Sequence, residues 1–254
     1  MTLRNKKVLI TGASRGLGAV IAADFASKGA RITLMSRSIE DLQNIIESLV
    51  DPHLHLGLKL DLNEPQSISA AVDKALEFLN GIDVVVHAAG GGLGFKDPLL
   101  SNVELHKLFT LNLSGPAEIN RLVCPEMIKN SSGNIVHIGS IASSEAVGSV
   151  GYNTVKAGLA SYVRSLGKYL APKKVIATGI LPGGFISTGN AMDRFLKNNP
   201  IEYEEFVNKR LPRRMMGKAT ELLPMIRLLS SDEASMMCGC MVPIDAGEGV
   251  SYVQ

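Results

Sequence analysis

The sequence predicts an α/β fold, a single doubly wound parallel sheet of about seven strands with helices on both faces. Three observations predict it. Short apolar runs that read as buried strands alternate with longer stretches whose apolar residues recur at helical spacing. The residues best suited to chemistry, namely Gly12, Asp61, the turn at 88–90, Ser140 and Pro182, each follow the end of such a run, where open α/β sheets place their ligands. No linker or repeat interrupts the 254 residues, so one domain over 1–254 is the economical reading.

Residues 7–12 (KVLITG) are an apolar run ending in glycine and form the first predicted strand. Beyond Gly16 and Gly18, the spacing of Leu17, Val20, Ile21 and Phe25 predicts the first helix. A strand over 32–36, a helix over 39–50 and a strand over 55–60, closed by Asp61, follow. Residues 65–79 read as a helix with Pro65 in its first turn, where a missing N–H costs nothing. Residues 82–88 are a strand rich in β-branched side chains. Residues 103–129 carry one long helical pattern that Pro116 and Pro125 must kink or end early. The remainder predicts strands at 134–139, 175–181 and 241–244, with helices at 152–170, 195–209 and 220–230.

Composition narrows the function classes. A net charge of +2 gives no electrostatic reason to expect nucleic acid or a membrane surface as partner. No apolar run is long enough to span a bilayer, and residues 1–7 are polar, which predicts a cytoplasmic protein. Cys124, Cys238 and Cys240 lack zinc or redox spacing and are expected as buried small residues in a reducing compartment. His53, His55, His106 and His137 show no metal spacing and read as ordinary. The basic Lys209, Arg210, Arg213 and Arg214 read as a solvated face, with an anionic substrate as the alternative.

Residues 11–18 (TGASRGLG) join the first strand to the first helix and read as a Rossmann-like dinucleotide loop. Gly12, Gly16 and Gly18 permit a tight turn and close approach of the backbone to a pyrophosphate at the helix N-terminus. Ser14, Arg15 and Leu17 complete the loop. An acidic residue at the end of the second strand would bind ribose hydroxyls and repel a 2′-phosphate. Ser36 and Arg37 stand there instead, with Arg15 in the loop, so NADP(H) is the predicted cofactor.

Tyr152 and Lys156 lie four residues apart on a predicted helix, hence on one face a turn apart. A phenol ionises near pH 10, and an adjacent ammonium favours the phenolate, giving a proton donor and acceptor usable near neutral pH.

With these motifs together, the chain resembles the short-chain dehydrogenase/reductase family over nearly its whole length. The resemblance implies a catalytic tetrad. Asn112 would hold a water beside the lysine, and Ser140 would hydrogen-bond the substrate oxygen. Tyr152 would be the acid/base, and Lys156 would bind the nicotinamide ribose and lower the tyrosine pKa. It also implies that Asp61 and Leu62 pack around adenine, that Ala89 and Gly90 line the cofactor, and that Pro182 and Gly183 form the turn beside the nicotinamide. Thr188 would contact the carboxamide, with Ser187 as the alternative.

Three departures stand out. The family's Asn-Asn-Ala-Gly is here His87-Ala88-Ala89-Gly90, so His87 is expected to brace the sheet in another way. Ser140 precedes Tyr152 by twelve residues, one fewer than in many relatives, and Ser143 and Ser144 compete with it. Pro182 is followed by an extra glycine, Gly184.

Substrate choice is expected in 91–98, 141–150 and 188–214, with a lid within 189–217. The resemblance is nearest to beta-ketoacyl-carrier-protein reductases, which implies a small carbonyl or alcohol substrate and an acyl carrier protein met by Lys129, Lys173 and Lys174. A sugar or nucleotide-sugar ketoreductase, using Ser143, Ser144, Glu145 and Asn190, is the alternative. A non-catalytic NADP(H) sensor would have no need of the four tetrad residues together. The family also implies a homotetramer or homodimer, with the helices at 103 and 152 between subunits and the last strand at a second interface.

Overall fold

Val8, Leu9 and Ile10 are wholly buried in the computed structural model, which describes residues 3–251; positions 1, 2 and 252–254 of the expected domain lie outside the described residues. Burial on both faces is what apolar runs of this kind require, and it places them inside a parallel sheet. The strands are β1 (Lys7–Thr11), β2 (Arg31–Ser36), β3 (His55–Lys59), β4 (Val84–His87), β5 (Asn134–Ile138), β6 (Ile176–Pro182), β7 (Phe185–Ile186), β8 (Gly217–Lys218) and β9 (Met241–Ile244). Seven of them form one parallel sheet in the order β3-β2-β1-β4-β5-β6-β9. Strand order reverses between β1 and β4, so a crevice opens beyond their carboxyl ends.

The helices are α1 (Gly16–Ser27), α2 (Ile39–Glu47), α3 (Pro65–Leu79), α4 (Asn102–Phe109), α5 (Gly115–Lys129), α6 (Val150–Leu170), α7 (Ala191–Asn198), α8 (Pro200–Arg210) and α9 (Leu223–Leu229). Alternate strand residues face opposite layers. Val8, Ile10, Ile32, Leu34, Val84 and Val86 join one core with residues of α1, α2 and α9. Leu9, Met35, Val85 and Ile135 join the other, with residues of α3, α5 and α6.

Three expected helices come out differently. The 103–129 pattern is broken by a π-helical turn at Thr110–Ser114 between α4 and α5. Pro116 gives the reason: its ring displaces the carbonyl four residues back, that of Asn112, and the widened turn absorbs the clash. Pro125, by contrast, stays inside α5. The 195–209 helix is two, because Asn199, before Pro200, is driven out of helical geometry with ψ +62°. The 220–230 helix begins as a 3₁₀ turn at Ala219–Leu222 and becomes α9 at Leu223, with Pro224 in its first turn. The parallel pair β7–β8 has no counterpart in the sequence reading. Of the cysteines, Cys124 is buried, but Cys238 and Cys240 are half-buried; the Cys238 thiol is committed to the Gly167 carbonyl at 3.3 Å. Among the described residues no helix is long and apolar enough to cross a membrane.

Candidate active site

The chain leaves β1 through Gly12, whose φ of +67° is left-handed. A Cβ there would stand 2.7 Å from the Ala89 nitrogen, so only glycine lets the loop close on the end of β4. The same turn is tied by Ala89 N–H donating to Thr11 Oγ1 at 3.3 Å. A Cβ on Gly18 would run into the Gly12 carbonyl, which is how α1 packs so closely beneath the loop. Ser14 and Gly16 are half-buried at the rim, Leu17 is buried beneath it, and no side chain caps the first N–H groups of α1. A shallow glycine cradle against uncapped helix amides fits an anionic phosphate.

Arg15 and Arg37 are exposed, and among the described residues neither guanidinium has a hydrogen bond or ion pair. Ser36 Oγ donates to the Ser38 carbonyl at 3.0 Å, and Ser38 caps α2. At the end of β3, half-buried Asp61 accepts from Asn63 N–H at 2.9 Å and Asn63 Nδ2 at 2.8 Å through one oxygen, Oδ1. Leu62 is buried, with its Cβ 2.9 Å from where a Cβ of Gly115 would lie.

Asn112, Ser140, Tyr152 and Lys156 converge beyond β4 and β5. The π turn presents Asn112 to the turn after β4, where its Oδ1 accepts from Gly91 N–H and its Nδ2 donates to the Gly91 carbonyl, both at 3.0 Å. Nδ2 also donates to the Leu108 carbonyl at 2.9 Å. A Cβ on Gly90 would stand 3.0 Å from Asn112 Oδ1 and 3.3 Å from Lys156 Nζ, so this glycine is what brings the two side chains together. Ser140 Oγ accepts from Ala142 N–H at 3.1 Å and stands beside Tyr152, where it favours the ionised hydroxyl. Ser143 and Ser144 turn their hydroxyls to the Ser140 and Ile141 carbonyls, leaving Ser140 alone beside the tyrosine.

Lys156 is buried and donates to the Ile138 carbonyl at 3.0 Å; burial pulls its pKa down to about 8. Burial pushes Tyr152 up, against a smaller downward pull from Ser140. The expected lowering of the tyrosine by Lys156 is therefore not what this structure has. The ammonium is held at the Ile138 carbonyl, 5.6 Å from the tyrosine ring centroid, and desolvation of the hydroxyl prevails.

Beneath this cluster lies a polar network that the sequence reading only partly foresaw. His87 Nε2 bonds Asn120 Oδ1 at 2.8 Å, and Asn120 Nδ2 reaches both His137 Nε2 at 3.3 Å and the Tyr162 hydroxyl at 3.1 Å. His87 and His137, paired across β4 and β5, stack with centroids 4.4 Å apart. So His87 braces sheet to α5, as expected of it, but His137 is not an ordinary histidine. Burial pulls His87 to about 4 and His137 well below its usual value, so both are neutral.

Pro182 ends β6, and Gly183 N–H donates to the Ile244 carbonyl at 3.2 Å. Thr188 is exposed, with its carbonyl 3.8 Å from where a Gly16 Cβ would be, so it stands across the glycine loop. Ser187 follows β7 and accepts from Asn190 N–H at 3.0 Å. Of Lys209, Arg210, Arg213 and Arg214, the first pairs with Glu205, the second with Glu248 and the third with Glu221, which leaves Arg214 as the one of these four without an ion pair among the described residues. Glu248 is a buried carboxylate beside Gly183 and Gly184 that no sequence motif marked. Lys129, Lys173 and Lys174 sit just before β5 and β6 begin, at the edge of the sheet opposite Tyr152.

The short chain dehydrogenase family model matches residues 6–199. A 3-oxoacyl-[acyl-carrier-protein] reductase (FabG) of Aquifex aeolicus is 29% identical over 249 residues, covering 96% of this chain and 98% of that protein. Oxidoreductase UcpA of Salmonella typhimurium is 32% identical over 257 residues, covering 96% of this chain and 95% of its own length. A solved 7α-hydroxysteroid dehydrogenase, complexed with NADH and 7-oxo glycochenodeoxycholic acid, superposes with a TM-score of 0.88 at 27% identity, covering 100% of this chain and 97% of that one. The glycine cradle, the convergence on Tyr152 and the match over most of the sequence lead to one conclusion: the chain belongs to the short-chain dehydrogenase/reductase family, oxidoreductases that act on CH–OH and C=O groups.

Proposed function

We propose that this protein is an NADP(H)-dependent oxidoreductase interconverting a carbonyl and a secondary alcohol, with a 3-oxoacyl thioester as its substrate class. The observation that carries the chemistry is the convergence of Tyr152 with Ser140 and buried Lys156, whose Nζ lies 5.6 Å from the tyrosine ring centroid. The thioester reading is supported by the FabG relative. NADP(H) over NAD(H) is supported by the two unpaired guanidiniums of Arg15 and Arg37 and by the lack of an acid at the end of β2. NADH in the hydroxysteroid dehydrogenase structure is the choice of that protein.

Gly12, Ser14, Arg15, Gly16, Leu17 and Gly18 would hold the pyrophosphate, and Ser36 with the arginines the 2′-phosphate. Asp61 and Leu62 would border the adenine. Ala89, Gly90, Pro182, Gly183 and Thr188 would line the nicotinamide side, and Lys156 the ribose. When bound, the reduced nicotinamide supplies hydride to the carbonyl carbon. Tyr152, kept protonated by burial, donates its proton to the oxygen as charge develops there. Ser140 Oγ holds that oxygen through the transition state. Lys156, at about 8, is largely an ammonium at neutral pH, able to bind ribose hydroxyls and to favour the phenolate once drawn close. Asn112 fixes the turn at Gly91 beside it and would hold a water there.

The same reading makes the protein a cytoplasmic homotetramer or homodimer, with exposed Val103 on α4, Val150 on α6 and Tyr169 near its end as contact residues. An acyl carrier protein docked on Lys129, Lys173 and Lys174 would lie at the opposite ends of the strands from Tyr152 of the same chain, at least a strand's length of roughly 15 Å away. Light scattering at micromolar concentration tests the assembly, and a monomer would sink it.

The deciding experiment is NADPH and NADH oxidation with a β-ketoacyl thioester, keto-sugar nucleotides and cyclic ketones, beside Tyr152→Phe. Turnover with NADPH and the thioester is expected, and Tyr152→Phe should lower it by about 10² to 10⁴ with NADPH binding intact. Wild-type turnover in Tyr152→Phe, or no oxidation with any carbonyl, would reject the mechanism. Turnover confined to keto-sugars would move the substrate class.

A further inference from the structure

Glu248 joins three segments that are distant in the chain. Its Oε2 accepts from Gly184 N–H at 2.5 Å, in the turn after β6, and its Oε1 accepts from Arg210 Nε at 2.8 Å, at the end of α8. The carboxylate is 4% exposed and the Arg210 side chain 33%. A carboxylate buried to this degree needs both oxygens satisfied by strong donors, and one amide and one guanidinium do so here.

The neighbouring sequence is shaped around this contact. A Cβ on Gly183 would stand 2.6 Å from Glu248 Oε2, and one on Gly184 3.3 Å from it. Gly183, and less tightly Gly184, thus leave the room that the Glu248 carboxylate takes. Asp245 builds the turn that delivers it, with Oδ1 accepting from Gly247 N–H and Oδ2 from Gly249 N–H, both at 3.0 Å. Just beyond, Val250 N–H donates at 2.8 Å to Glu145, on the loop between Ser140 and Tyr152. The α7–α8 region is otherwise fixed by near neighbours, among them Asn190 Nδ2 donating to the Phe185 carbonyl and the Arg213–Glu221 ion pair. Its apolar cluster of Val207, Leu211 and Met216, with Met192, Tyr203 and Phe206, is separate from both main cores. No residue of α7 is buried, and α8 buries Val207 alone.

We propose that Glu248 is a positioning residue that latches α8, through Arg210, onto the turn after β6, and so sets the affinity of the site for its carbonyl substrate. The inference rests on the reading of 189–217 as the substrate cover. Breaking the pair frees α8 to open locally while the sheet and the catalytic groups stay as they are. The effect therefore falls on substrate capture rather than on the chemical step.

Two variants test it. Glu248→Gln keeps the shape and the bond to Gly184 but removes the charge facing Arg210. Arg210→Gln removes the other partner at a position with room for the change, and decides the matter if Glu248→Gln does not fold. In hydrogen–deuterium exchange of the ligand-free protein, peptides from 200–210 should exchange about tenfold faster in both variants, with peptides from β1, β4 and β5 unchanged. With NADPH and the carbonyl turned over fastest, KM should rise about tenfold and kcat stay within about twofold. Wild-type exchange over 200–210 in both variants overturns the latch, whatever the turnover. Faster exchange with unchanged KM overturns its role in affinity. Exchange is read without substrate, so it stands apart from the reductase reading, whose own failure would show as turnover by Tyr152→Phe.

Discussion

The half of the molecule around β1 to β4 and the half that follows Pro182 are held by different means. In the first, backbones approach so closely that only glycine fits: Gly12 against Ala89, and Gly18 against the Gly12 carbonyl. In the second, side chains bridge segments 64, 38 and 105 residues apart, from Glu248 to Gly184, Arg210 to Glu248 and Glu145 to Val250. Steric closure of this kind has no partial form, because a single methyl group displaces the whole loop. A bridge of hydrogen bonds can be cut with the two sides still folded. On the function proposed above, the cradle would be rigid where the cofactor is gripped, and the opposite side adjustable where the substrate binds.

Replacing the first half's glycine should have the largest effect. Gly12→Ala meets both a left-handed φ of +67° and a Cβ 2.7 Å from the Ala89 nitrogen. Strain and overpacking together should cost about 3 to 5 kcal/mol, with cofactor binding lost. Gly184→Ala, with no left-handed φ and a nearest contact of 3.0 Å to Met216 Sδ, should cost only about 1 kcal/mol. Urea unfolding of both variants measures the difference, and equal midpoints would erase the distinction between the halves.

Acid sharpens it next. His87 is held at about 4 against 6.5 in the unfolded chain, because burial disfavours its charged form. A group whose folded pKa is depressed leaves stability intact above about 6.5 and removes it as pH falls toward 4, here by up to about 3 kcal/mol. His137 acts in the same direction, with His87 and Lys156 adding repulsion. Asn120, bonded to both histidines, and Tyr162, bonded to Asn120, offer no carboxylate to stabilise the charge. His87→Asn should flatten the fall between pH 6.5 and 4; an unchanged acid limb would place the sensitivity elsewhere.

These contrasts follow what was legible in the sequence. The strands and the glycine loop could be read because their determinants are local: apolar runs, turn glycines and helical spacing. The helix at 65–79 and the strand at 241–244 have the bounds that their patterns imply. Tyr152, Lys156, Ser140 and Asn112 were picked out as a set, and the structure brings them together. The π turn was half visible, since Pro116 announced a disturbance without saying that the helix would widen at Asn112 rather than end. His137 and Glu248 were invisible because their roles depend on partners at Asn120, Tyr162, Gly184 and Arg210, which no spacing along the chain brings near. The extra glycine at 184 was the one departure in that region, and in the sequence it bore only on the choice between Thr188 and Ser187.

Lys156 tests whether the cluster around Tyr152 is itself under strain. Burial lowers its pKa from 10.5 to about 8, so at pH 7 the folded, ligand-free protein carries a poorly solvated ammonium. Stability should rise with pH between about 8 and 10.5 as that charge is shed. Lys156→Met should then stabilise the ligand-free protein at pH 7 by about 2 kcal/mol, after loss of the bond to Ile138, and abolish turnover. A destabilised variant would mean that the bond to the Ile138 carbonyl outweighs desolvation.

The smallest effect belongs to the second half. Asn190 Oδ1 accepts from Asp193 N–H at 2.8 Å and caps α7, while its Nδ2 donates to the Phe185 carbonyl at 2.9 Å. An N-cap of this type is worth about 1 kcal/mol to its helix. Because α7 buries no residue and its Met192 and Phe195 pack onto the small α8 cluster rather than onto either main core, little of that loss should reach the sheet. Asn190→Ala should therefore speed amide exchange over 191–198 about fivefold while the global Tm moves by less than about 1 °C. Asn190→Asp, which keeps a capping oxygen, should restore much of the protection. A drop in Tm of several degrees would show that α7 and the sheet unfold as one unit, and the two halves would then differ in how they are fastened but not in how they come apart.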